Sequence, residues 1–309
     1  MHLRYDDDFI EAAVFTVASG RRPGVPSLQI HRYHRERERC YDILDPDNRA
    51  AAFFKMHLDW FREWGLEKLL LGVVNEYPLL APAITTLAFR KVRMKKDEGA
   101  ELYVSAETDR SAVVAMRPER FKRDEAVAGL LRHEFMHLSD MVDPAFGYSP
   151  TLNLPGLNPT QQRITRDRYR LLWDITIDGR LFRTGHSVNN REEHEAIFHR
   201  TFSFWPEIRR SQAFASHWND ATPRHENLLT LAADPRDLSQ AVAPLPGSLC
   251  PLCHFPTFEW TDVSALSPDT LAKLRGEFPQ WTLEQGACGR CVEMYELAGR
   301  FEFPATVVL

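Results

Sequence analysis

The string His133-Glu134-Phe135-Met136-His137 constrains this chain more than any other feature. It lies within residues 123–141, a segment whose apolar residues recur with the spacing of a helix. Because residues four apart on a helix share a face, both imidazoles can reach one metal ion. Glu134 follows the first histidine directly, so its carboxylate can approach a water on that ion. The string therefore predicts two ligands and the general base of a hydrolytic zinc site.

The string does not complete such a site, because a catalytic zinc ion ordinarily has three protein ligands and an open position. Asp174 and Asp178 are four residues apart within 161–183, a second segment with helical spacing. Apolar neighbours predict partial burial of this face, and a cation would offset the cost of burying two carboxylates. One aspartate can bind zinc while the other accepts a hydrogen bond from a ligand imidazole. An aspartate pair bonded to nearby arginines is the alternative interpretation.

Two C-x-x-C pairs, Cys250/Cys253 and Cys288/Cys291, contain all but one of the five cysteines. In a reducing compartment such pairs are more typical of a metal site than of two disulfides. Four thiolates in a tetrahedron would bind one structural zinc ion. That ion would also add folding energy to a short module with few apolar residues.

These residues resemble the gluzincin branch of the zinc metallopeptidases, in which an acidic residue on a later helix completes an H-E-x-x-H site. The resemblance covers about residues 101–185. It implies the following roles: zinc ligands His133, His137 and Asp174, base Glu134, and orienting residue Asp178. The family's third ligand is glutamate, which is one methylene longer than aspartate. Either the two helices approach more closely here, or Asp178 is the ligand.

A competing third ligand is Asp143, six residues after His137. This is the spacing at which the metzincin branch of the zinc peptidases places its third ligand. Those enzymes have glycine where this chain has Asp140, since the chain must turn sharply out of the helix. The spacing alone leaves both solutions open, and the aspartate pair is preferred.

A second pair of histidines, His194 and His199, lies in another predicted helix. The two are five residues apart, which rotates them by about 140° on a helix. We therefore expect them not to share a metal ion.

The predicted fold class is α+β, with a small C-terminal zinc domain. Residues 1–242 are expected to form a mainly helical zincin-like metallohydrolase domain with a small sheet, in which strands at 101–105 and 112–116 precede the metal helix. Residues 243–309 are expected to form the four-cysteine zinc-binding module, and the proline-rich segment 243–247 is the predicted linker.

Composition bears on partners and compartment. Hydrophobic residues make up 44% and charged residues 26%, the balance of an ordinary globular protein. A net charge of −5 gives no general reason to expect nucleic acid or an anionic membrane as a partner. No apolar run approaches the roughly 18 residues of a membrane span, and the first residues do not resemble a signal peptide. We expect a cytoplasmic protein.

The cysteine module resembles zinc ribbons and treble clefs, and the SprT family joins an H-E-x-x-H protease domain to a zinc ribbon. Residues 241–309 contain four Lys/Arg and eight Asp/Glu, a net of −4, whereas phosphate binding favours a basic face. Nucleic acid is therefore an unlikely partner, and docking of a protein is preferred.

The expected function is that of a zinc-dependent metallopeptidase. A zinc-activated water, with Glu134 as general base, would hydrolyse peptide bonds of a peptide or protein substrate. The expected cofactors are one catalytic zinc ion and one structural zinc ion. The alternatives are a non-catalytic zincin-like binding or regulatory protein whose cysteine module docks a partner, and a SprT-like protease associated with nucleic acid.

Overall fold

The structure is a computed structural model that describes residues 1–20, 22–106, 109–152, 154, 156–186, 191–236 and 244–298. The chain separates into two compact units, the first made of Met1–Pro150 and Asp174–His225 and the second of Thr151–Trp173 and Glu226–Leu309. The boundary predicted between residues 242 and 243 lies outside the described residues, and the predicted domain division stays a prediction. In the described ranges, no helix is both long and apolar enough to cross a membrane.

Helices dominate the described residues. The α-helices are α1 (Asp7–Gly20), α2 (Ser27–Tyr41), α3 (Pro46–Glu63), α4 (Leu66–Val74), α5 (Leu80–Ala83), α6 (Asp124–Val142), α7 (Pro159–Arg183), α8 (Arg191–Thr201), α9 (Glu207–Asn219), α10 (His225–Ala233), α11 (Pro268–Glu277) and α12 (Gly289–Ala298). The strands are β1 (His2–Tyr5), β2 (Thr86–Lys91), β3 (Gly99–Ala106), β4 (Asp109–Met116), β5 (Ser248–Leu249), β6 (Pro256–Thr257), β7 (Trp260–Thr261) and β8 (Ala287–Cys288). Together they confirm the predicted α+β class, with small sheets.

The sheet of the first unit has the strand order β1-β2-β4-β3. Strands β1, β2 and β4 are parallel, whereas β3 runs antiparallel to β4 and forms one edge. Gly99 pairs with Ala115, and Ala100 pairs with Val114. β3 and β4 contain both strands predicted before the metal helix.

Aromatic residues hold the sheet against helices α1 and α3. Phe9, Phe61, Phe89 and Phe121 have no exposed surface. Phe121 meets Phe9 and Phe61 edge to face, with ring centroids 5.8 and 5.6 Å apart. Such contacts stabilise a core beyond the area that they bury. The same core cluster contains the apolar residues of helix α6.

Helix α6 is the predicted metal helix. Its first turn contains Asp124 and Glu125, whose charges suit the positive end of a helix dipole. Val127, Leu131 and Leu138 are fully buried and form the apolar face. The helix packs against β3, α4 and α5. This packing places α6 beside the edge strand β3.

Helix α7 is the predicted second helix of the site. At its start, the side-chain oxygen of Gln161 accepts from the backbone N–H of Asn158, and the side-chain oxygen of Asn158 accepts from the backbone N–H of Gln161. This is the arrangement of a capping box. Gly185 follows its end with φ of +79°, a left-handed conformation that favours glycine. Gly179 faces the backbone carbonyl of Trp218 so closely that a β-carbon would collide with it. Glycine thus allows the end of α9 to lie against α7 next to Asp178.

In the second unit, short strands and two helices surround the four cysteines. Strand β5 pairs with β6, and β7 pairs with β8. The cysteines belong to a small buried cluster that includes Leu274, Trp281 and Ala287. The Trp281 indole N–H donates to the carbonyl of Gly286, 2.8 Å away, just before strand β8. The module thus has a small apolar core of which the cysteines are part.

Candidate metal centres

Helices α6 and α7 bring His133, His137 and Asp174 together. One oxygen of Asp174 lies 3.0 Å from Nε2 of His137 and 3.8 Å from Nε2 of His133. The three ligand atoms lie within 4.8 Å of one another. In a tetrahedral zinc site with bonds of about 2.0–2.2 Å, the distance between two ligand atoms is about 3.3–3.6 Å. The group therefore has the donor atoms and spacing to hold a metal ion.

The charges of this group also favour a cation. Burial disfavours the protonated imidazole of His133, but hydrogen bonds with Asp174 and Asp178 prevail and raise its pKa to about 10. Burial opposes the ionised form of Asp174, yet hydrogen bonds from His133 and His137 hold the pKa of its carboxyl far below its usual value. A proton is therefore held among these residues, and a metal ion can take its place when the imidazole nitrogens lose their protons.

Asp178 is fully buried, and it contacts Nδ1 of His133, the ring nitrogen that does not face Asp174. The His133 Nδ1–H donates to one carboxylate oxygen of Asp178 at 2.9 Å, which leaves Nε2 facing Asp174. His194 contacts the second oxygen of Asp178, with Nε2 2.5 Å away. Asp178 thus lies where an orienting residue is expected, and Asp174 lies where the third ligand is expected.

His194 contacts Asp178, whereas its spacing from His199 predicted only that these two histidines do not share a metal ion. Asp178 lies on α7 and His194 on α8, so no helical periodicity could have revealed this contact.

Glu134 reaches from α6 to the edge strand β3. Its Oε2 accepts a hydrogen bond from the backbone N–H of Ala100 at 2.8 Å. A β-carbon on Gly99 would lie in ordinary contact with the same oxygen, at 3.7 Å. The carboxylate of the predicted base is therefore held next to the backbone of the edge strand.

Glu98 fixes the start of this edge strand, a role that the sequence did not indicate. Its carboxylate, whose side chain is 2% exposed, accepts two hydrogen bonds from the guanidinium of Arg120, at 2.6 and 2.8 Å. It also accepts from the backbone N–H of Arg117 at 3.0 Å. Burial opposes ionisation, but these donors hold the pKa of Glu98 below its usual value. The ion pair therefore holds the residues that precede Ala100.

Asp143, the competing third ligand, lies just beyond α6. Its side chain accepts from the backbone N–H of Ala145 at 2.8 Å. It lines a cavity of about 310 Å³ together with Asp140 and Arg180. In the described part of the chain, Asp143 does not belong to the group formed by His133, His137 and Asp174. The geometry thus groups Asp174, and not Asp143, with the two histidines.

The four cysteines of the second unit form the other candidate centre. Sγ of Cys250 lies 4.0 Å from that of Cys291, and Sγ of Cys253 lies 3.8 Å from that of Cys288. All four sulfur atoms lie within 4.8 Å of one another. Tetrahedral zinc with bonds of about 2.3 Å places its sulfur ligands about 3.8 Å apart. A disulfide would require about 2.05 Å. The spacing fits a tetrahedral metal site formed across the two pairs.

Crowding of the thiols also favours a cation here. Burial and the neighbouring thiols raise the pKa of Cys291 above its usual value. Burial opposes ionisation of Cys250 too, but hydrogen bonds from the backbone of Cys253 and Cys288 lower its pKa to about 7. The site thus stabilises one thiolate readily, and a metal ion would stabilise the others.

His254 closes the turn of the first cysteine pair. Its backbone N–H donates to the carbonyl of Cys250 at 2.8 Å, and the Cys250 N–H donates to the carbonyl of Phe255 at 2.9 Å. His254 has φ of +59°, a left-handed conformation that is costly for a residue with a β-carbon. The backbone of His254 therefore forms part of the turn that positions Cys250 and Cys253.

Comparisons with protein-family models, curated proteins and solved structures find no match to this chain. The structure itself defines an α+β protein with two groups of side chains, one of cysteines and one of histidines with an aspartate, each able to hold a metal ion.

Proposed function

We propose that this protein is a zinc-dependent metallopeptidase of zincin type. The observation that carries the proposal is the convergence of His133, His137 and Asp174, with ligand atoms within 4.8 Å, together with the position of Glu134 directly after His133 on α6. Asp178 supports the same interpretation, since its hydrogen bond to Nδ1 of His133 directs Nε2 into the group. A metal bound only for structure would have no need of an adjacent carboxylate.

The chain's own residues supply the proton transfers of hydrolysis. A bound zinc ion supplies a Lewis acid that polarises a carbonyl group and makes water more acidic. Glu134 accepts the proton of the water that attacks the scissile carbonyl carbon, and it then delivers that proton to the nitrogen of the leaving amine. The Ala100 N–H holds the carboxylate at the strand edge before substrate arrives.

The edge strand supports a peptide as the substrate. β3 lies at the end of the sheet, and its residue Ala100 contacts Glu134. An extended peptide can add to a sheet edge through main-chain hydrogen bonds. A peptide bound along β3 would therefore pass the predicted base.

The cysteine module is proposed to bind one structural zinc ion and to dock a protein partner. Leu249, Phe255 and Phe258 are exposed around the first cysteine pair. Exposed apolar side chains together with a net acidic charge favour a protein over nucleic acid as the partner.

The direct test is Glu134→Gln in the full chain. We expect this variant to keep its zinc, since Glu134 is not a ligand, and to lose hydrolysis of a mixture of fluorogenic peptides by a factor of at least about 100. Glu125→Gln, on the exposed first turn of the same helix, is the matched control and should retain wild-type activity. Undiminished hydrolysis by Glu134→Gln would refute the mechanism. A zinc-loaded wild type that cleaves no peptide would favour the non-catalytic binding protein instead.

A further inference from the structure

Asp178 is a buried carboxylate between two imidazoles. It has no exposed surface, and its two oxygens contact Nδ1 of His133 and Nε2 of His194. An ionised carboxylate in such a position must be hydrogen-bonded, because burial without donors is costly. His194 is itself buried, with 8% of its surface exposed. The two histidines therefore act on Asp178 from opposite sides of the carboxylate.

The environment of Nδ1 of His194 indicates which ring nitrogen of this histidine carries the proton. Nδ1 of His194 is buried and has no hydrogen-bond partner among the described residues. A proton there would leave an unpaired N–H in the interior, which is costly. The neutral ring with its proton on Nε2 avoids that cost and donates to Asp178. The same carboxylate then accepts from Nδ1–H of His133, so Nε2 is the nitrogen of His133 that can bind a metal ion once it has lost its proton.

We propose that His194 is a positioning residue of the histidine metal site, acting through Asp178 on His133. The inference rests on the proposed function, since it requires His133 to bind a metal. It adds a residue on a third helix, α8, to a site built on α6 and α7. His194 donates to one oxygen of Asp178 and so helps to hold the carboxylate whose other oxygen accepts from His133. Loss of the N–H would weaken the hold on this carboxylate and, through it, on the orientation of the His133 ring.

Two substitutions separate the hydrogen bond from simple packing. His194→Phe keeps an aromatic ring of similar size and removes the donor. His194→Gln places an amide N–H the same number of bonds from the β-carbon as Nε2 of histidine, and so restores a donor. His199→Phe, on the same helix, is the matched control, because Nε2 of His199 makes no hydrogen bond among the described residues.

The measurement is the zinc dissociation constant of the histidine site in the full chain, obtained by competition with a chromophoric chelator. We expect His194→Phe to weaken binding about 10- to 100-fold, the usual effect of removing a group that orients a ligand. His194→Gln should lie within about threefold of wild type, and His199→Phe should be unchanged. The cysteine site serves as an internal reference, and its affinity should not change in any variant.

Three results would overturn the inference. One is wild-type affinity in His194→Phe, and another is an equal loss in His194→Gln and His194→Phe, which would indicate packing. The third is a wild type that binds zinc only at the cysteines, which would refute the proposed function as well. If His194→Phe is insoluble, His194→Leu gives the same contrast with His194→Gln. The inference fails alone when wild type binds zinc at the histidine site and the variants do not follow this order.

Discussion

Asp140 and Arg180 offer a sharp test of how α6 and α7 are held together at the site. Asp140 lies three residues after His137, and Arg180 lies two residues after Asp178. The guanidinium donates to both carboxylate oxygens, at 2.8 and 2.6 Å. The two side chains are only 7% and 16% exposed. A bidentate pair so shielded is strongly coupled, and it joins the helices less than one turn after His137 on α6 and less than one turn after Asp178 on α7.

Replacing one residue of the pair should lower the free energy of unfolding substantially, whereas replacing both should lower it much less. Asp140→Ala leaves a buried guanidinium without its carboxylate, for which the expected loss is about 3–5 kcal/mol of unfolding free energy. Arg180 keeps a hydrogen bond from Nε to the carbonyl of Thr176, 3.3 Å away, so we expect a loss at the low end, about 3 kcal/mol. The double variant Asp140→Leu/Arg180→Met should recover most of that loss, since an apolar pair carries no uncompensated charge.

Urea denaturation followed by tryptophan fluorescence measures these differences. The matched control is Glu76→Ala. Glu76 makes a bidentate pair with Arg132, which lies on α6 like Asp140, and both distances are 2.7 Å. The Glu76 side chain is, however, 36% exposed. That exposed pair should contribute less than about 1 kcal/mol. A loss below about 1 kcal/mol in Asp140→Ala, or a double variant no more stable than the single one, would refute the reasoning.

Three further predictions concern other parts of the chain. Cys250→Ser/Cys291→Ser should remove one zinc ion per chain and open residues 244–298 to limited proteolysis, whereas the wild type should resist cleavage there. His254→Gly should relieve a left-handed residue at φ +59° and stabilise the module by about 1 kcal/mol, with His254→Val having the opposite effect on its melting temperature. Burial lowers the pKa of His57 from 6.5 to about 4, so the unfolded chain binds the proton more readily than the folded chain. The contribution of His57 to the free energy of unfolding is therefore complete above pH 6.5 and is lost as the pH falls to 4. The loss amounts to about 3 kcal/mol, and acid denaturation of His57→Phe should lack this component.

Much of the candidate site was accessible from local spacing. His133 and His137 share a face because they are four residues apart on one helix, and the same rule placed Asp174 and Asp178 on another. The C-x-x-C spacing likewise indicated the cysteine group, since a single turn brings each pair together. Each of these predictions needs only the conformation of one segment.

The remaining features depend on tertiary contacts. His194 meets Asp178 only because α8 returns to α7, and Ala100 meets Glu134 only because β3 packs against α6. Glu98 is an unremarkable charged residue in the sequence, and its burial against Arg120 follows from the pairing of β3 with β4. No periodicity within one segment encodes such contacts, so the sequence could not select these residues.

The central claim is that His133, His137 and Asp174 hold a metal ion besides the one at the cysteines. The most direct measurement is the zinc content of the purified full chain by elemental analysis, for wild type and for His133→Ala/His137→Ala. We predict one zinc ion for each of the two groups in wild type, and loss of one of them in the double variant. A wild type with zinc only at the cysteines, or a double variant with unchanged zinc content, would contradict the account.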